Sequence, residues 1–181
     1  MADHTLEQYD RAFAACRDIF EKKSNDYGTS WRVLRPRSIT DQLYIKAKRI
    51  RTIDEAGLQK VDEGIEDEFR ACVNYGIIAL IQLSLDEDFP VELMTEEALH
   101  LFDREYRVVR DLMMAKNHDY GEAWRDMRIS SFTDMILSKV QRIKQIEDND
   151  GSTMISEGVD GHYKDIVNYA IFALIQLDEK K

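Results

Sequence analysis

Lys23-Ser-Asn-Asp-Tyr-Gly-Thr-Ser-Trp31 and Lys116-Asn-His-Asp-Tyr-Gly-Glu-Ala-Trp124 place a cation, a carboxylate and two aromatic rings at the same spacing in two parts of one chain. A lysine can hold a phosphate oxygen, and a tyrosine or tryptophan can stack on a base. Lys23, Tyr27, Trp31, Lys116, Tyr120 and Trp124 are therefore candidate substrate-binding residues, and Asp26 and Asp119 candidate catalytic carboxylates that join a metal or orient a lysine. A helix stop needs only the glycine, so the other residues exceed what a turn requires. The plainer alternative is that the tryptophans plug the end of a bundle and the aspartates cap helices.

Both stretches continue alike. Lys46 and Arg49 recur as Lys139 and Arg142, 93 positions later. Each pair sits at i, i+3 and points one way, a fork suited to phosphate charge, so all four are candidate catalytic cations. Between Arg32 and Arg51 seven basic residues face one acid, Asp41, in a chain of net charge −10. The alternative role is ion pairing with the acidic starts of the third helix of each repeat.

After one inserted residue the echo resumes at an offset of 94: Glu63 with Glu157, Asn74 with Asn168, and Ala79-Leu-Ile-Gln-Leu83 with Ala173-Leu-Ile-Gln-Leu177. At 100° per residue Glu157 and Asn168 differ by about 20° around a helix, and Asp165 lies about 80° from Glu157, so the three share a face. The first repeat offers Glu63, Asp67 and Asn74. Its aspartate sits one turn away from the position of Asp165, where it has Ala71; Gly161 stands opposite Asp67. Hard oxygen ligands on one face suit Mg²⁺ or Mn²⁺, which makes Glu63, Asp67, Glu157 and Asp165 candidate metal ligands. They equally suit a solvated helix start that complements the helix dipole. Asn74 and Asn168 lie in apolar runs and need partners if buried, either a substrate or a neighbouring helix.

These residues need elements to hold them. Apolar residues at spacings of three and four predict six helices and no strand: Leu6–Lys23, one from Ser38 to the turn Asp54–Gly57, Val61–Leu83, Thr95–Lys116, Ser131–Glu147 and Glu157–Asp178. Ser38-x-x-Asp41 and Ser131-x-x-Asp134 read as capping boxes, and Pro36 reads as a break in regular helix. A period near 93 exceeds solenoid repeats. The expected architecture is an all-α bundle of two tandem three-helix repeats about a pseudo-twofold axis, 1–84 and 95–181, joined by the linker 85–94. Two copies predict either two sites or one composite site, and the complementary loss of one aspartate per copy favours the composite.

Composition narrows the partners. The acidic balance speaks against duplex nucleic acid and anionic membranes. No apolar run reaches the roughly 20 residues that span a bilayer, and no basic, apolar leader opens the chain. Cys16 and Cys72 are not repeated, which predicts buried free thiols and a reducing cytoplasm. No histidine recurs: His118 aligns with Asn25 and His162 with Glu68. A homodimer is compatible with all of this.

The Lys-x-x-Asp-Tyr-Gly loop, the Lys-x-x-Arg helix and the Glu…Asp-x-x-Asn-Tyr helix, in order and twice, resemble the nucleotide modification associated domain type 1 family, over about 9–83 and 102–177. That resemblance implies a place in nucleotide metabolism or modification. A more distant likeness is to the all-α nucleoside triphosphate pyrophosphohydrolases of the MazG and dimeric dUTPase type. It implies Mg²⁺ held by carboxylates on two helices and hydrolysis of a nucleoside triphosphate to monophosphate and pyrophosphate. The Glu-x-x-Glu of that family's first acidic helix has no clear counterpart; Asp41 and Asp134 are the nearest acids. The rival expectation is a non-catalytic helical module that binds a nucleotide or a partner protein. The two differ in whether the charges open on a cleft or neutralise one another.

Overall fold

A computed structural model describes residues 2–56, 63–151 and 158–181. Six helices form an all-α bundle: α1 (Ala2–Tyr27), α2 (Pro36–Ala56), α3 (Glu63–Ser84), α4 (Thr95–Tyr120), α5 (Ile129–Asp148) and α6 (Val159–Glu179). Short 3₁₀ turns, Ser30–Val33 and Ala123–Asp126, follow α1 and α4. No strand occurs among the described residues.

The apolar stripes fold as expected. Tyr9, Phe13, Cys16 and Phe20 bury one face of α1, and Leu43, Ala47 and Ile50 one face of α2. The second halves of α3 and α6 are apolar on nearly every side, so these two helices pack along each other at the centre. Gly76 permits that approach: a Cβ built on it would lie 2.5 Å from Cγ2 of Val167. Helices α2 and α5 cover α3 and α6 and meet each other, while α1 and α4 close the remaining side. Cys16 and Cys72 are free, buried thiols, which burial pushes up to about 12.

The pseudo-twofold relation appears as reciprocal ion pairs. Arg51 of α2 bonds Asp134 of α5 at 2.6 Å, and Lys144 of α5 pairs with Asp41 of α2 at 3.3 Å. Arg51 corresponds to Lys144 and Asp41 to Asp134, so each contact is the other with the repeats exchanged. These aspartates therefore serve the repeat interface. They do not close capping boxes: α5 starts at Ile129 behind Arg128, with no side-chain cap, and Ser38 already lies inside α2. Pro36 opens α2 instead of breaking it, because its fixed φ suits a first helical position and its missing N–H has no intrahelical partner there.

A second boundary correction matters for the site. Helices α1 and α4 run to Tyr27 and Tyr120, one turn beyond the lysines. Only Gly28 (φ +73°) and Gly121 (φ +61°), in the left-handed region, end them. Lys23 and Tyr27, like Lys116 and Tyr120, are thus i, i+4 neighbours on a helix and not loop residues.

Helices α1 and α4 are tied by Asp10, which accepts from Arg110 at 2.7 and 2.9 Å and from the Tyr106 hydroxyl. The Arg110 hydrogen bonds hold the Asp10 carboxyl below its ordinary value, and Tyr106 adds to this against some desolvation. A depressed folded-state value gives stability that is present above the unfolded carboxyl range near pH ~4 and is lost as pH falls through the folded value. Asp10→Asn should therefore lower Tm at pH 7 and flatten the fall in Tm below about pH 4, as followed by circular dichroism melts. An acid limb as steep as wild type would remove Asp10 from the explanation.

Candidate functional site

Each repeat builds a cavity between its first helix, its 3₁₀ turn and its third helix. The first holds about 400 Å³ and is lined by Lys23, Tyr27, Trp31, Asp67, Arg70, Asn74 and Tyr75, among others. The second holds about 390 Å³ and is lined by Lys116, Tyr120, Trp124, Lys139, Asp165, Asn168 and Tyr169. Both volumes fit a small-molecule ligand. Each of these two cavities takes its lining from one repeat alone, so among the described residues the two candidate sets do not join in one composite site.

The turn that carries each tryptophan is fixed by a glutamine of the Ala-Leu-Ile-Gln-Leu run. Nε2 of Gln82 donates to the carbonyls of Trp31, Arg32 and Leu34 at 3.3, 3.0 and 2.7 Å. Nε2 of Gln176 donates to those of Trp124, Arg125 and Met127 at 3.0, 3.4 and 2.9 Å. In each repeat a side-chain amide, half-buried in Gln82 and buried in Gln176, thus satisfies carbonyls that a short 3₁₀ turn cannot pair internally. The sequence signal was present: a polar residue repeated at one place in two apolar runs. The asparagines are anchored in the same paired way. Nδ2 of Asn74 donates to the Cys16 carbonyl at 3.1 Å, and Nδ2 of Asn168 to the Val109 carbonyl at 3.4 Å, and Cys16 and Val109 are equivalent positions.

Charge distinguishes the cavities. In the second, Asp165 is only 6% exposed. Lys116 donates to its Oδ1 at 2.6 Å, and Lys139 pairs with its Oδ2 at 3.1 Å. Two ammonium groups thus converge on one buried carboxylate in the wall. Burial pushes the Tyr169 hydroxyl above its ordinary value, and the charge of Asp165 adds to this, so it stays a neutral donor. In the first, Ala71 stands where Asp165 would be, and no described acid lies within ion-pair distance of Lys23. Arg70 bonds Glu66 at 2.6 Å and Asp67 at 3.1 Å. Lys46 and Arg49 turn away from the cavity to the buried Glu68, at 3.5 and 2.5 Å. His162 replaces Glu68 in the second repeat, and Lys139 turns instead to Asp165. No described acid pairs with Arg142.

The aromatic residues also differ. Trp124 is 6% exposed, stacked on Phe172 at 4.3 Å, and Arg125 lies 4.3 Å over its ring, so its faces are covered. Trp31 has Ile78 in place of Phe172, and its nearest ring is Phe20, tilted and 6.1 Å away. Arg32 is drawn off to Gln82 and to the carbonyls of Phe89 and Pro90 in the linker. Tyr27 and Tyr120 are exposed at the cavity mouths. The indole N–H of both Trp31 and Trp124 is buried without a hydrogen-bond partner.

Asp26 and Asp119 line neither cavity; Asp119 faces His118 at 3.2 Å on the exposed end of α4. Of the candidate Mg²⁺ ligands, Glu157 and the side chain of Glu63 lie outside the described residues. Among the described residues no three His, Cys, Asp or Glu side chains come together as a metal site. Asp67 is engaged by Arg70, and Asp165 by two ammonium groups that a cation would have to displace. Neither described aspartate is therefore free to take Mg²⁺ or Mn²⁺ without displacing a cation. No described helix is long and apolar enough to cross a membrane.

The family model described as nucleotide modification associated domain 1 matches residues 23–83 and 116–177, more than half of the chain in two copies. No curated protein and no solved structure matches the chain.

Proposed function

The chain belongs to the nucleotide modification associated domain 1 family, whose name links it to nucleotide modification, and on that premise we propose that it binds a nucleotide in the second-repeat cavity with the phosphate on Lys116 and Lys139. The observation that carries this reading is the Lys116–Asp165–Lys139 cluster. A buried carboxylate fixes two flexible lysine side chains in one place, so less entropy is lost when an anion docks on them. Phosphate oxygens accept from both ammonium groups, and such charge-assisted bonds favour an anion over a neutral ligand. Tyr120 at the mouth and Tyr169 in the wall offer ring surface to a base, a role that the covered faces of Trp124 cannot take. Asp165 is here a positioning residue.

A second reading, hydrolysis of a nucleoside triphosphate with Mg²⁺ or Mn²⁺, draws support from one observation: the Asp165 carboxylate opens on the same cavity as the phosphate-binding lysines. One experiment separates the two. Nucleoside mono-, di- and triphosphates with canonical and modified bases are titrated calorimetrically with and without divalent metal, and pyrophosphate release is followed in parallel. Saturable, salt-sensitive binding without metal and without turnover is expected. Metal-dependent pyrophosphate release would establish the hydrolase instead, and no heat from any nucleotide would overturn both.

A further inference from the structure

Three groups at the first-repeat cavity are left without partners where their counterparts in the second repeat have them, or are only half-buried where their counterparts are covered. The first is Lys23. Its counterpart Lys116 bonds Asp165, whereas the first repeat carries Ala71 at that position and offers Lys23 no described acid. The second is Oδ1 of Asn74, buried with no donor. Its counterpart in Asn168 accepts from the Tyr9 hydroxyl at 2.6 Å, a bond that crosses from the first repeat to the second. The position equivalent to Tyr9 is Phe102, which has no hydroxyl to give. The third is the ring of Trp31, free of the Phe172 and Arg125 partners that cover Trp124. The residues that line the cavity thus carry one cation, one aromatic surface and, covered in the unliganded chain, one unpaired donor and one unpaired acceptor.

An unmade hydrogen bond in a buried setting is costly, and a ligand whose ring edge draws these two side chains toward it relieves that cost. The ligand that matches all four groups has a planar ring to lie on Trp31 and a ring edge with both a donor and an acceptor, for Asn74 Oδ1 and Trp31 Nε1. It also carries a single anionic group for Lys23. Arg70, the other cation in the wall, is already matched by Glu66 and Asp67, so a triphosphate would bring far more negative charge than the cavity meets. We infer that the first-repeat cavity is a second and distinct ligand site, selective for a nucleoside monophosphate and separate from the phosphate cluster of Lys116, Asp165 and Lys139. Duplication has given one chain two pockets of one ancestry and different chemistry, the first reading a base and the second holding a phosphate.

The chain contains two tryptophans, one in each cavity, which makes the test direct. In Trp124→Phe the remaining emission comes from Trp31. Titration with adenosine, guanosine, cytidine, uridine and thymidine 5′-monophosphates should change it saturably for at least one member, and more weakly for the matching triphosphate. Adding Lys23→Gln or Asn74→Leu should weaken that response at least tenfold. Ala71→Asp, which gives Lys23 the carboxylate that Lys116 has, should abolish it. Lys139→Gln should leave it unchanged. Lys23 is exposed, so Lys23→Gln tests the site even if Asn74→Leu fails to fold. No response from any monophosphate, an unchanged response in Lys23→Gln, or tighter triphosphate binding would overturn the inference. A Trp31 response that survives in Lys139→Gln, in a chain whose calorimetric binding Lys139→Gln does not alter, would instead refute the phosphate cluster and leave the first-repeat site standing.

Discussion

Asp165→Ala should cost about 3 kcal/mol of stability, the lower end of what breaking a buried ion pair costs. The Asp165 side chain is 9% exposed and Lys139 22%, whereas Lys116 is 47% exposed and can swing partly into water. Removing the carboxylate leaves the Lys139 ammonium in a protein wall with no counter-ion and puts two like charges at its former place. For a chain of this length that corresponds to a fall in Tm of roughly 10 °C. Lys139→Met in the same background should recover much of it, because the stranded charge is then gone. A Tm within a degree of wild type for Asp165→Ala would mean that the three groups do not form the cluster described. The double variant also separates stability from binding: it regains the fold but not the phosphate site.

The second large effect falls on binding. Lys139→Gln should lower nucleotide affinity by about 10- to 100-fold, since a charge-assisted hydrogen bond of about 1.5–3 kcal/mol is lost from the phosphate. The internal control is Lys46→Gln. Lys46 occupies the equivalent position in the first repeat but lines neither cavity, and its ammonium lies 3.5 Å from Glu68. Calorimetric titration of the two variants should show the loss for Lys139 and none for Lys46. Equal losses would indicate that binding follows overall charge, and loss for neither would remove Lys139 from the site.

The bundle was readable from the sequence because helical periodicity and tandem repetition are both local signals. The places where reading failed were ones where position along the chain says little about direction in space. Lys46 and Lys139 are the same residue at the same position of a repeat, yet a change of neighbour from Glu68 to His162, and from Ala71 to Asp165, sends them to different partners. The motif lysines and tyrosines were visible, but their helical placement depended on where the chain stops, and Gly28 and Gly121 postpone that stop by one turn. Asp41 and Asp134 resembled caps because the spacing fits, while their partners Lys144 and Arg51 lie in the other repeat, about a hundred residues away. Gln82 and Gln176 were conspicuous as repeated polar residues in apolar runs, but their task is set by a turn fifty residues upstream.

The central claim is that a nucleotide phosphate sits on the Lys116–Asp165–Lys139 cluster, and a crystal structure of the wild-type chain with bound nucleotide tests it most directly. The account predicts phosphate oxygens within about 2.7–3.2 Å of Nζ of both Lys116 and Lys139, with Asp165 still between them. A nucleotide bound elsewhere, with no phosphate oxygen within hydrogen-bond distance of either lysine, would contradict it.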